Sequence, residues 1–194
     1  MMSYINDSLL ESINTQRLVL EDQHLLNSIK EVALACIQAF QRGNRVILAG
    51  NGGSAADAQH IAAEFVSRFI FDRPALPALA LTTDTSMLTS IANDYGYERL
   101  FERQLEANGR KGDVFIGITT SGNSSNVLFA IDRCRHLGIV SVGLAGAGGL
   151  IQDRCDHIIA VPSTSTPRIQ ESHITIGHII CGLVENAMFK RAAA

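Results

Sequence analysis

Apolar positions follow two rhythms along this 194-residue chain. The first is helical: Ile5, Leu9 and Ile13 recur every four residues with polar neighbours between them. After a weak break at 21–24, Ile29, Val32, Ala33, Cys36, Ile37 and Phe40 keep the i, i+3, i+4, i+7 spacing of a second helix. Gly43 supplies its stop. The leading stripe serves either packing within the chain or an arm that meets another copy.

From Arg45 the rhythm changes to short apolar runs that read as buried parallel strands, at 46–49, 78–81, 114–118, 140–144 and 157–161. Helical patterns lie between them at 54–67, 86–92, 98–107 and 124–137. Alternation of this kind predicts an α/β fold: a three-layer αβα sandwich around a five-stranded, doubly wound parallel sheet. The whole chain, 1–194, reads as one domain, with a helical arm over 1–43 and an α/β core over 44–194. Pro162 ends the last strand. A final helix is predicted over 167–191, with Ser165 or Thr166 as cap and Pro167 in the first turn. Ile169, Ile174, Ile176, Ile179, Ile180, Leu183, Val184 and Met188 leave it little polar face, which predicts burial against neighbouring subunits.

Composition narrows the classes. Apolar residues make up 46% and charged ones 18%, as in a compact domain whose surface is partly covered by another copy. Net charge is −3 with no basic run, and aromatics are too few for a stacking platform, so no nucleic acid is expected as partner. No apolar run reaches the length of a membrane span, and no signal peptide is read at the N-terminus. The four cysteines, Cys36, Cys134, Cys155 and Cys181, form no CxxC pair and read as reduced core residues of a cytoplasmic protein.

Two strand-to-helix loops carry the anion chemistry. In Asn51-Gly52-Gly53-Ser54 the glycines let backbone approach a ligand, and Ser54 can cap the helix or donate to a phosphate. Neither a GKS/GKT nor a GxGxxG signature is present. The second loop runs from Thr119 to Ser125 and holds five hydroxyls in seven residues, among them Thr120, Ser121 and Ser124. Capping needs one of them. Neutral donors without Lys or Arg suit a phosphate that must bind and later leave, and in open sheets both loops lie beyond the carboxyl ends of the strands.

The remaining chemistry sits on two helices. His60 and Glu64, spaced i, i+4, share a face, and Asp57 lies one turn earlier. The pair serves equally as ligands for a divalent metal or as a proton-transfer pair. Gln170 and His178 are polar residues on the apolar last helix and require polar partners. They are separated by a rise of about 12 Å, near the limit for one ion. Either the first turn is loosened, or two copies of the helix contribute and the pocket lies at a subunit boundary. His173 lies nearly opposite His178 and is the weaker candidate; His24, His136 and His157 read as surface or strand-end residues. Asn93 and Asp94, before Gly96, form a C-terminal turn or a pair for sugar hydroxyls.

The segments GNGGSAADAQHIAAEFVSRF, LTSIANDYGYERLF, GDVFIGITTSGNSSNV and PRIQESHITIGHIICGLVE resemble the phosphoheptose isomerases of the SIS (sugar isomerase) family over essentially the whole chain. The resemblance implies a homotetramer that converts sedoheptulose 7-phosphate to D-glycero-D-manno-heptose 7-phosphate, the entry to heptoses of lipopolysaccharide core or capsule. It implies one zinc ion (Zn2+) per subunit, on His60, Glu64, Gln170 and His178. For an enediol reaction Glu64 is the candidate base for the carbon-bound proton and His178 its partner acid/base. Substrate contacts carry over onto Asn51, Gly52, Gly53, Ser54, Glu64, Asn93, Asp94, Thr119, Thr120, Ser121, Ser124 and Gln170. Two departures stand out: Thr119 where Ser is frequent, and Pro167 where some members have Asp. The alternatives are an isomerase of another sugar phosphate, or a non-enzymatic SIS regulator that binds the replication initiator protein.

Overall fold

The computed structural model describes residues 1–189. Two helices lead, α1 (Met2–Glu21) and α2 (Gln23–Gln41). Asp22 divides them: its extended backbone stops the first, and its carboxylate accepts from the His24 and Leu25 N–H groups at the start of the second. The core then alternates β1 (Val46–Gly50), α3 (Gly53–Val66), β2 (Ala78–Ala80), α4 (Thr85–Tyr95), α5 (Leu100–Asn108), β3 (Val114–Thr119), α6 (Ser125–Leu137), β4 (Val140–Ala145), β5 (His157–Ala160) and α7 (Thr166–Met188). All five strands are parallel, in the order β2-β1-β3-β4-β5, with Val46 opposite Ala78 on one side and Val114 on the other.

Strand periodicity explains the layers. Val46 and Leu48 of β1 turn to a core shared with α2, α3 and α7, while Ile47 and Ala49 turn to a second core under α5 and α6. Every residue of β1 and β3 is therefore buried, which is why their sequences lack the polar alternation of a one-sided sheet. The predicted αβα sandwich is the observed one. The chain runs from β1 outward to β2 and returns to β3 on the other flank of β1. The strand order thus reverses between β1 and β3, and the crevice above their carboxyl ends is the natural ligand position.

Two helix boundaries differ from the sequence reading, and one of its open alternatives is narrowed. Helix α4 is longer than predicted, because Asp84 caps it at Met87 N–H and Gly96 (φ 89°) ends it. Helix α7 begins at Thr166 and closes at Met188; the predicted positions 190 and 191 lie outside the described residues. The stripe on α1 is not packed within the chain: Leu9 and Ile13 are 59% and 56% exposed, and only Thr15 and Val19 are buried. The arm is held instead by polar contacts to α7, where Arg168 donates to the Ser8 carbonyl and Gln16 to the Ser172 hydroxyl. On α7 itself Ile169, Ile176, Ile180 and Val184 are buried, but Ile179 and Leu183 face outward.

Candidate active site

The first loop departs from the expectation for Ser54. Helix α3 starts one residue earlier than predicted, at Gly53, and Gly52 takes the capping position with φ 57°, a conformation that excludes most side chains. Ser54 is therefore not the cap. It lies buried in the first turn, its N–H bonded to the Asn51 carbonyl at 3.0 Å. The Asn51 side chain exchanges two hydrogen bonds of 2.9 Å with buried Asn126, and its oxygen also accepts from the Tyr97 hydroxyl at 2.9 Å. Sequence reasoning missed Asn126 and Tyr97; the one signal for Asn126 was a polar residue on the buried side of α6. Gly53 is pressed against α7: a Cβ there would lie 2.5 Å from Gln170 Nε2.

In the second loop the Thr119 and Ser124 hydroxyls meet at 2.9 Å, and Ser121 lies 3.5 Å from Thr119. Ser124 occupies the N-cap position of α6 but makes no capping bond, since its hydroxyl is turned to Thr119. The first amides of α6 consequently lack a side-chain acceptor, as do those of α3. Thr120 is held from behind, its carbonyl accepting from Gly146 N–H at 3.2 Å. Both loops thus bring uncapped helix starts and hydroxyls to the crevice between β1 and β3, an arrangement chemically suited to an anion.

Helices α3 and α7 run side by side in the same direction. Gly177 makes their approach close, since a Cβ at that position would lie 2.6 Å from Ile61 Cδ1. Directly beside this contact, His60 Nε2 and His178 Nε2 lie 2.9 Å apart, and Glu64 Oε1 lies 3.3 Å from His60 Nε2. The ligand atoms of His60, Glu64 and His178 all fall within 4.8 Å of one another, the one such grouping among the described residues. Two imidazoles and a carboxylate are a donor set suited to zinc. Tetrahedral zinc at about 2.0–2.1 Å spaces two nitrogens by about 3.3 Å, so a ring shift of a few tenths of an ångström admits the ion. The Phe69 ring stacks on His178 with centroids 5.5 Å apart.

Gln170 does not join this triad within one chain. It meets Gly53, seven residues before His60 on α3, a rise of about 10 Å. The first turn of α7 is regular, so the loosened turn considered from sequence is not what the helix does. Asp57 stands half-buried, with Oδ2 unpartnered; burial raises its carboxyl to about 6, against the lowering charge of His60. Asn93 and Asp94 lie exposed on the last turn of α4, bonded to each other at 2.7 Å. A cavity of about 280 Å³ between α4 and the first loop is lined by Gly50, Asn51, Gly52, Leu88, Ala92 and Tyr97, and not by Asn93 or Asp94. A wider groove of about 780 Å³ lies at the opposite end of the sheet, near His136 and His157, and contains no such grouping of ligand atoms. His173, fully buried, bonds the Ala145 carbonyl at 3.1 Å; burial lowers it to about 4, so it remains a neutral core residue.

Comparison with known proteins identifies the family. The SIS domain family matches residues 11–146. The chain is 62% identical to the phosphoheptose isomerase of Aneurinibacillus thermoaerophilus, over 98% of this chain and 96% of that one. It is 59% identical to phosphoheptose isomerase 2 of Campylobacter jejuni subsp. jejuni, over 96% and 94%. The structure of a phosphoheptose isomerase from Francisella tularensis superposes with a TM-score of 0.91 at 33% identity, covering 95% of this chain and 98% of that one. The chain belongs to the SIS domain family and, within it, to the phosphoheptose isomerases.

Proposed function

We propose that the chain interconverts sedoheptulose 7-phosphate and D-glycero-D-manno-heptose 7-phosphate through an enediol, and so opens a route to the heptoses of surface glycans. The observation that carries this is the convergence of His60, Glu64 and His178 on adjacent helices, one of which starts at an uncapped anion loop. Aldose–ketose exchange moves one proton between neighbouring carbons and another between their oxygens. Glu64, 23% exposed at its side chain, takes and returns the carbon-bound proton. His178 handles the proton at oxygen, its ring held edge-on to His60. The phosphate is bound by the loop containing Thr119, Thr120, Ser121 and Ser124, while Asn51, Gly52, Gly53 and Ser54, with Asn93, Asp94 and Gln170, surround the sugar.

His60, Glu64 and His178 would hold a zinc ion, which supplies polarisation of the carbonyl and hydroxyl oxygens when bound. A single α7 cannot bring Gln170 to the same ion, so the fourth ligand is read as Gln170 of a second copy. The unpacked stripe of α1 and the outward Ile179 and Leu183 support self-association, with a tetramer as the expected assembly. Among the described residues no helix is long and apolar enough to cross a membrane, and a cytoplasmic location is the matching proposal.

The test is a coupled assay over five-, six- and seven-carbon ketose phosphates. Turnover of the seven-carbon substrate alone supports the reading; preference for a shorter sugar reassigns the substrate. Absence of any isomerisation, with retained binding of a replication initiator, would favour the regulator.

A further inference from the structure

Zinc ligands on two separate helices need a fixed distance between those helices, and the region below the triad bears on that distance. Arg73, in the segment after α3, is buried against Glu185 of α7, with side chains 2% and 1% exposed and Nε 3.1 Å from Oε1. The same guanidinium donates to the Glu64 carbonyl at 2.8 Å and the Phe65 carbonyl at 2.6 Å, sealing the end of the helix that carries His60 and Glu64. Glu185 in turn accepts from the Phe69 N–H at 2.9 Å and the Ile70 N–H at 2.8 Å. That grip places Phe69 over Gly182, 3.4 Å from where a Cβ would stand, and flat against the His178 ring. One charge pair therefore joins the end of α3, the backbone that follows it and the third ligand.

We propose that Arg73, Glu185 and Phe69 form a clamp that sets the ligand spacing of the metal site: positioning residues that touch neither substrate nor ion. This rests on reading His60, Glu64 and His178 as that site. Partners of this kind typically alter metal affinity about 10–100-fold when removed. A charge pair is suited to the task, because its geometry tolerates less sliding than an apolar contact would.

The experiment measures zinc affinity of the whole protein by competition with a chromogenic chelator, and the d–d absorption of the cobalt-substituted form. Circular dichroism confirms folding in each case. His178→Gln comes first: wild-type protein that holds zinc no better than this variant overturns the metal-site reading, and the clamp with it. Given a wild-type site, Phe69→Leu is expected to weaken zinc about 10–100-fold and shift the cobalt spectrum. Phe69→Tyr, which keeps the ring, is expected to retain both. Glu185→Gln should follow Phe69→Leu; if it fails to fold, the Phe69 pair decides. Folded Phe69→Leu with wild-type zinc affinity and an unchanged cobalt spectrum overturns the clamp while leaving the metal site standing.

Discussion

The two ends of α3 were built to opposite rules. At its beginning, Gly52 offers no side chain to the first amides, and the neighbouring helix α6 likewise turns its Ser124 hydroxyl elsewhere. At its end, Arg73 fills three carbonyls, those of Glu64, Phe65 and Ser67, and is itself buried on Glu185. Helices α2 and α4 are instead closed at their starts by side chains, those of Asp22 and Asp84. Along α3, polar groups are left without a side-chain partner at the crevice, where a ligand can complete them, and closed at the far end, where they hold the frame.

That contrast can be broken from either end. In the last turn of α3, Glu64→Gln keeps the backbone carbonyl that Arg73 bonds and removes the proposed base, so turnover should fall about 10²–10⁴-fold in the coupled assay. An unchanged kcat would remove Glu64 from its role. At the sealed end, Glu185→Gln strands the Arg73 charge and should cost about 3 kcal/mol in urea unfolding near neutral pH. Burial alone would raise the Glu185 carboxyl, but the Phe69 and Ile70 N–H groups and Arg73 outweigh it and hold it below its ordinary value of 4.5. Its contribution is thus complete above that ordinary value and is lost as pH falls through the lowered one. Melts of the wild type should steepen in that acid window, and those of Glu185→Gln should run flatter there.

At the open end, Ser124→Ala removes a hydroxyl from the proposed phosphate loop. It should raise KM for the sugar phosphate by the worth of a charge-assisted hydrogen bond, about 1.5–3 kcal/mol, with zinc affinity unmoved. The smallest effect is expected far from both ends. Asp22→Ala should lower stability by about 1 kcal/mol, seen in denaturant melts, and leave the kinetics of folded protein as they were.

Much of this contrast was legible in the chain. Strand runs, the two loops and the His60–Glu64 spacing are local patterns, so the fold and two of the triad's three members follow from neighbours in sequence. His178 could be picked out because a polar residue interrupted an apolar helix. The same signal marked His173, which turned out to serve only a backbone carbonyl. What stayed hidden is long-range: Glu185 meets Phe69 across 116 residues, and Asn51 meets Asn126 across 75. No local period encodes such pairs. The capping error at Ser54 has a similar origin, since a positive-φ glycine two residues earlier took the place a hydroxyl would otherwise fill.

Asn51 is gripped on both atoms of its amide, by Asn126 and by Tyr97, before any sugar arrives. The turn it belongs to has therefore spent its conformational entropy during folding, and little remains to be lost on association. A guest at this doorway meets a stiff receptor, so affinity should depend on how well the guest's own shape matches, and only weakly on coaxing the host into line.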